Sequence, residues 1–431
     1  MGGMFETLRN AWKIPDLRKK ILFTVAMLIV FRIGSHIPVP GVDVEAFARA
    51  LTGGGTLLGF LDIVAGGAFA NLTIFAMSIT PYINASIIMQ LLTVAIPKLE
   101  QMQKEGEEGR KKIGQIVRYG TVVLGFLQAT GLYFMISGYG AIIGGSNVLN
   151  FLTITFTFTA GTAFLMWLGE KITENGIGNG ISLIIFGGIV SRAPQGAMAL
   201  VQYYQAGVLG AGVLGILAII FIIAVFVAAV AAVIWVQQAE RRIPIQYAKR
   251  VVGRKMYGGQ STHLPIKVNL AGVIPIIFAM SIMAFPSTII QFIAPNSNSA
   301  FVRFFVEAPG TLPYALINAL LIIFFTFFYS VIQFNPIEIA SNMKKNGGFI
   351  PGLRPGKPTS DYIAKVLNRI TWFGGFFLAA VTIFPTILGM IFNINVWFGG
   401  TALLILVGVA LDVVKQLESQ MLMRHYKGFL E

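Results

Sequence analysis

At 431 residues the chain is 55% hydrophobic and 12% charged, with a mean hydropathy of +0.76. Soluble domains carry about 25% charged residues, so composition argues against a water-soluble fold. The absence of cysteine excludes disulfides and thiolate chemistry, and His36, His263 and His425 stand too far apart to suggest a metal set.

In chain order, Arg18, Lys19 and Lys20 lead into a long apolar run with no cleavage signature after it. That pattern predicts a retained first span over 21–37. Next comes Gly53-Gly-Gly-Thr-Leu-Leu-Gly-Phe-Leu-Asp-Ile-Val-Ala-Gly-Gly-Ala68, whose apolar stretch Leu57–Val64 is too short to cross a bilayer. Asp62 and the glycines disfavour a spanning helix, yet the segment is too apolar for a solvated loop. A short re-entrant or plugging helix fits best, with an interfacial amphipathic helix as the alternative. Further windows of about 20 apolar residues predict spans over 70–96, 113–137, 148–170, 179–203, 209–237, 269–293, 312–335, 366–391 and 397–418. The fold class predicted is all-α and polytopic, with ten transmembrane helices. Ile79, Ile83 and Ile87, and again Ile181, Ile185 and Ile189, recur at i, i+4, i+8. Such stripes serve packing or lipid contact, or else a hydrophobic constriction that gates by dewetting.

The loops carry the charge unequally. With a cytoplasmic N-terminus, 28 of the 32 Lys and Arg residues fall on one side, while Arg49, Arg192 and Arg303 fall on the other and Arg32 lies within the first span. The positive-inside rule then puts both termini in the cytoplasm and makes most of the +14 an orientation signal. Two cytoplasmic loops, about 238–268 and 336–365, exceed what topology needs. The first holds Arg241, Arg242, Lys249, Arg250, Arg254 and Lys255, and the second holds Lys344, Lys345, Arg354 and Lys357 in a Gly-Pro-rich stretch. They read as docking surfaces for an acidic partner, RNA or lipid headgroups, or as plain solvated loops.

Acids are almost missing from the spans: Glu170, Glu240, Asp412 and Glu418 sit toward span ends. An ion-coupled secondary transporter, the main alternative, is therefore poorly supported, and a lipid scramblase or insertase scaffold lacks a charged groove. Gly352-Leu-Arg-Pro-Gly-Lys-Pro-Thr359 is not a phosphate-binding loop, since Pro358 replaces the Ser or Thr that must follow the Lys. No enzymatic activity and no cofactor are expected, and energy would come from a partner.

Several strings resemble the bacterial SecY family, the channel subunit of the general protein-secretion translocon. They are Phe31-Arg-Ile-Gly-Ser-His-Ile-Pro-Val-Pro-Gly41, Thr80-Pro-Tyr-Ile83 with Gln90-Leu-Leu-Thr93, and Lys104-Glu-Gly106 with Gly109-Arg-Lys-Lys112. Phe164-Leu-Met-Trp-Leu-Gly-Glu170 runs into Gly176-Ile-Gly-Asn-Gly-Ile-Ser182, and the most distinctive string is Gln260-Ser-Thr-His-Leu-Pro-Ile-Lys-Val-Asn269 with Ala271-Gly-Val-Ile-Pro275. Gly352-Leu-Arg-Pro-Gly356 and Phe398-Gly-Gly-Thr401 complete the set.

The resemblance implies two five-helix halves, 1–205 and 206–431, related by inverted pseudo-symmetry around a central pore. It implies a pore ring of Ile79, Ile83, Ile181, Ile185, Ile277 and Ile405. The implied plug covers about 57–69, with Leu57, Phe60, Leu61, Asp62, Ile63 and Val64. The lateral gate maps to Asn84, Ile87, Gln90, Ser281 and Phe285. Implied partners are SecE-like and SecG-like subunits, the motor ATPase SecA or the ribosome on the two basic loops, signal peptides with unfolded preproteins, and membrane lipid. The implied setting is a bacterial plasma membrane. The implied function is a protein-conducting channel that passes unfolded secretory chains and releases membrane segments sideways.

Overall fold

The computed structural model describes residues 4–47, 66–209, 212–247, 250–252, 255–257, 261–293, 304, 311–392 and 399–427. The helices, in order, are α1 Met4–Lys13, α2 Pro15–Gly34, α3 Thr80–Ala95, α4 Pro97–Lys104, α5 Glu107–Gly138, α6 Val148–Asn175, α7 Gly180–Ser191, α8 Ala193–Gln205 and α9 Val213–Gln238. After four strands come α10 Ile274–Ile293, α11 Leu312–Gln333, α12 Pro336–Lys345, α13 Lys357–Phe392 and α14 Gly400–Lys427. Each of the ten sequence windows thus carries helix. Among the described residues, seven helical stretches are long and apolar enough to cross a membrane, or eight with the pair α3–α4, which bends by 102°.

Local chemistry sets several helix starts. Pro15 begins α2, where a missing N–H costs nothing. Asn147 caps α6 by accepting from the Val148 N–H, Asn179 caps α7 through the Ser182 N–H, and Asn335 caps α12 through Ile337 and Glu338. Pro194 lies in the first turn of α8, which Arg192 separates from α7 inside the fifth predicted span. In α9 nothing is charged from Val213 to Gln238 and few side chains are buried, as expected of a helix whose surroundings are lipid.

One boundary departs widely from expectation. The second span was predicted from residue 70, but its helix starts at Thr80, and residues 66–79 run as successive turns. The fold class also needs a small amendment. The described residues include a three-stranded antiparallel sheet, ordered β4 (Ser261–Lys267), β1 (Glu240–Tyr247), β5 (Gly348–Phe349), and a hairpin of β2 (Arg250–Val252) with β3 (Lys255–Tyr257). Both long loops contribute to that one sheet. Its core is Ile243, Ile245 and Ile266 against Met343, Ile350 and Ile363. The period-2 run Ile243-Pro-Ile-Gln-Tyr247 was a legible strand signal.

The described chain divides into two compact units, Met1–Ala206 with Met280–Tyr314 and Ile405–Glu431, and Gly207–Ala279 with Ala315–Leu404. In the first, α1, α2 and α14 share a small core of Ala11, Leu17, Ile177 and Leu417, and α3, α5 and α6 pack side by side.

Candidate functional site

Non-helical backbone deep in an apolar protein must find hydrogen-bond partners inside the protein. Residues 66–79 do so. The Leu72 carbonyl accepts from the Val39 N–H at 3.0 Å, and Ile74 N–H donates to the Ile37 carbonyl at 3.0 Å. Asn71 Nδ2 donates to the Gly67 carbonyl at 2.9 Å, and Thr73 Oγ1 to the Ala68 carbonyl at 3.2 Å. Leu72 and Ser78 adopt positive φ, +42° and +51°, a costly conformation for residues with a Cβ. Packing holds the strain in place. The Phe75 ring stacks between Phe31 of α2 and Phe164 of α6, with centroids 6.2 and 5.9 Å away. On α6, a Cβ at Gly161 would overlap the Ile74 carbonyl oxygen, so only glycine permits this approach.

Arg32, the one cation expected within a span, is engaged at the head of this segment. Its Nη1 donates to the Gly66 carbonyl at 2.8 Å and to Ser191 Oγ at 3.2 Å. Ser191 in turn donates to the Gly188 carbonyl at 2.7 Å. Gly66 has φ +65° and lies so close to α7 that a Cβ would come within 2.9 Å of Gly188 Cα. Sequence reasoning flagged Arg32 within a span but not its partners, and the signal that points to them is a charge that needs an acceptor. The predicted plug residues Leu57, Phe60, Leu61, Asp62, Ile63 and Val64 lie outside the described residues.

Of the six predicted ring isoleucines, five fall in one compact unit: Ile79 and Ile83 at the start of α3, Ile181 and Ile185 on α7, and Ile405 on α14. Ile277, on α10, belongs to the other unit. Ile79, Ile185 and Ile405 are buried, while Ile83, Ile181 and Ile277 are half-buried. The helical stripe keeps its spacing across the helix start, because Ile83 N–H donates to the Ile79 carbonyl. Ile181 sets its Cδ1 into the notch at Gly169 of α6, 2.5 Å from where a Cβ would stand.

Three of the five predicted gate residues are brought together more directly. Asn84 and Ile87 of α3 and Ser281 of α10 line one cavity of about 200 Å³, with Ile88, Ile282 and Pro286. Gln90 is exposed and its Nε2 donates to Ser86 Oγ at 3.4 Å, away from that lining. The Phe285 side chain lies outside the described residues. Pro286 removes a backbone donor within α10 at the cavity wall. The acid nearest a transporter role, Glu170, is paired with Arg118 Nε at 2.8 Å.

Among the basic loop residues, Arg241, Arg242, Lys344, Lys345, Arg354 and Lys357 are exposed. Lys249 and Arg254, and the side chains of Arg250 and Lys255, lie outside the described residues. Arg354 sits on a stiff turn. Leu353 beside it packs on the sheet core, and the Arg354 carbonyl accepts from Thr359 Oγ1 at 2.9 Å. Among the described residues no cluster of His, Asp and Glu could hold a metal.

Comparison with known proteins places this geometry. The SecY family model matches residues 73–414. The protein translocase subunit SecY of Thermotoga maritima is 48% identical over 437 residues, covering 99% of this chain and 98% of the relative. That of Aquifex aeolicus is 42% identical over 438 residues, covering 99% and 100%. Among solved structures, a protein-conducting channel matches with TM-score 0.68 at 18% identity, over 94% of this chain and 92% of that one. Canine Sec61 in a ribosome–channel complex matches with TM-score 0.62 at 17% identity, over 94% and 92%.

Proposed function

We propose, from the premise that the chain belongs to the SecY family, roles for the particular residues assembled above. The chain is a multi-pass membrane protein with the ten-helix fold of the SecY and Sec61 channels, and it works as the channel subunit of a protein translocase. In this reading the two halves are 1–205 and 206–431, the termini are cytoplasmic, and the membrane is a bacterial plasma membrane. The unequal spread of Lys and Arg supports that orientation. The chain acts without catalysis of its own, beside SecE-like and SecG-like subunits, with SecA or the ribosome on the basic loops. The stiff turn that presents Arg354 supports such docking.

The six isoleucines act as the pore ring, and the segment about 57–69 acts as the plug. The lateral exit runs between α3 and α10. The cavity shared by Asn84, Ile87 and Ser281 carries this last assignment: two helices meet over a small, mainly apolar gap beside a proline, which is how a seam that parts should be built. Because the chain has no cysteine, Ile87→Cys with Ser281→Cys gives a clean test. A short thiol–thiol crosslinker should stop release of membrane segments into lipid, and cleaving the linker should restore it. Undiminished release from the crosslinked channel would remove the gate from this seam.

A further inference from the structure

Alternation along a strand puts every second side chain on one face. On β1 the buried face carries Ile243, Ile245 and Tyr247, and the same face receives Arg241. The register places Arg241 opposite Ile266, a fully buried core residue. A cation has therefore been put on the apolar face, at the end of the sheet where α9 has just ended. Arg242, one residue on, points to the other face and is held by Glu240 at 2.7 Å. Among the described residues Arg241 has no ion-pair or hydrogen-bond partner, and neither has Arg369 of α13.

The two free guanidinium groups line one notch of about 320 Å³, whose remaining walls are Glu240, Val268, Ile370 and Phe373. The back of the notch is fixed. Val268 N–H donates to the Ala239 carbonyl at 2.9 Å, and Gly374 lets α13 approach until a Cβ would lie 2.8 Å from the Val268 carbonyl oxygen. Its depth follows from the sequence. Arg369 is the last charged residue before the uncharged run 370–392, and Arg241 follows the uncharged run 213–238 almost directly. By that patterning both arginines fall where an uncharged run meets the charged loops, and the exposed Trp372 and Phe373 follow Arg369 closely, aromatic residues being common at membrane interfaces.

We propose that this notch binds the headgroup of an anionic phospholipid from the adjoining leaflet. Arg241 and Arg369 take the phosphate oxygens, for which planar guanidinium is better suited than ammonium. Val268, Ile370 and Phe373 lie under the glycerol and the first methylenes. The carboxylate of Glu240 does not oppose the phosphate at full strength because Arg242 already engages it. A lipid is favoured over free phosphate because the notch is apolar on its membrane side, where a small anion would gain nothing. The site separates Arg241 from the other basic loop residues: it anchors the sheet to the bilayer and leaves docking to residues such as Arg354. The choice of the cytoplasmic leaflet rests on the orientation proposed above.

The test uses the intact complex in mild detergent, incubated with phosphatidylglycerol or phosphatidylcholine and read by native mass spectrometry. Phosphatidylglycerol should be retained in preference, and Arg241→Gln with Arg369→Gln should lower its retention about tenfold, the loss of a charge-assisted phosphate contact. Arg354→Gln, an exposed cation outside the notch, should change nothing, and Arg241→Lys with Arg369→Lys should keep most of the binding, which guards against a folding defect. Equal retention of phosphatidylcholine, or unchanged retention in the double Gln variant, overturns the site. Displacement of phosphatidylglycerol by millimolar inorganic phosphate would assign the notch to the free anion and overturn the lipid. Orientation is read separately, by labelling Arg354→Cys in whole cells with an impermeant reagent, so an error there leaves the binding result standing.

Discussion

Two non-helical regions of this molecule solve opposite problems. Residues 66–79 are surrounded by helices, and their polar backbone groups are served by Ile37, Val39 and Arg32, with Gly161 admitting the Ile74 carbonyl. The small sheet of the two long loops builds its own aliphatic core and leaves most of its cations exposed. Where water is absent, irregular backbone must borrow partners from distant segments. Where water is present, a few buried isoleucines suffice, and the outer face stays free to meet a partner.

The comparison breaks most severely at Gly161. Gly161→Leu drives a side chain into the Ile74 carbonyl and should destabilise the protein by about 3 kcal/mol or more, seen as a lower unfolding temperature in detergent. An unchanged transition would mean that α6 does not clamp the segment. In the sheet, Ile266→Ala empties a fully buried position and should cost about 2–5 kcal/mol locally. The readout is faster proteolysis between 240 and 267 with little change in the unfolding of the spans. If the spans melt early as well, the sheet is not a self-contained core.

Next in size is Arg32→Gln, which loses the charged donor to Gly66 and should cost about 1–3 kcal/mol. It should also raise ion leak through reconstituted vesicles, since the segment leading from the proposed plug is then less firmly held. Tight vesicles and full stability would make the Gly66 contact incidental. The smallest structural effect belongs to Arg354→Glu. The residue is exposed and only its backbone is hydrogen-bonded, so stability should shift by less than about 0.5 kcal/mol. Motor-driven translocation should nevertheless slow, and a normal rate would move the docking surface elsewhere.

The residues proposed for the gate show how far one-dimensional reading reaches. Asn84, Ile87 and Ser281 were placed by motif, and they meet in one cavity. Gln90 was placed by the same means and sits apart, bonded to Ser86. A motif fixes where a residue falls on its helix, but the rotation of that helix against its neighbour decides which side chains share a space. The same limit explains the misplaced start of α3. Residues 70–79 are as apolar as the helix that follows, so hydropathy cannot separate them, and the left-handed turns at Leu72 and Ser78 flank Ile74 and Phe75, which Gly161, Phe31 and Phe164 hold from distant segments.

Sequence by itself determined the membrane class, the ten apolar windows and the one-sided charge, because length, hydropathy and loop charge are local quantities that lipid reads one segment at a time. The tertiary structure alone decided that Arg32 reaches Gly66, that loops about a hundred residues apart share one sheet, and that Arg241 and Arg369 face a common notch. Each of these depends on groups far apart in the chain satisfying one another in space, and no local pattern records such a pairing.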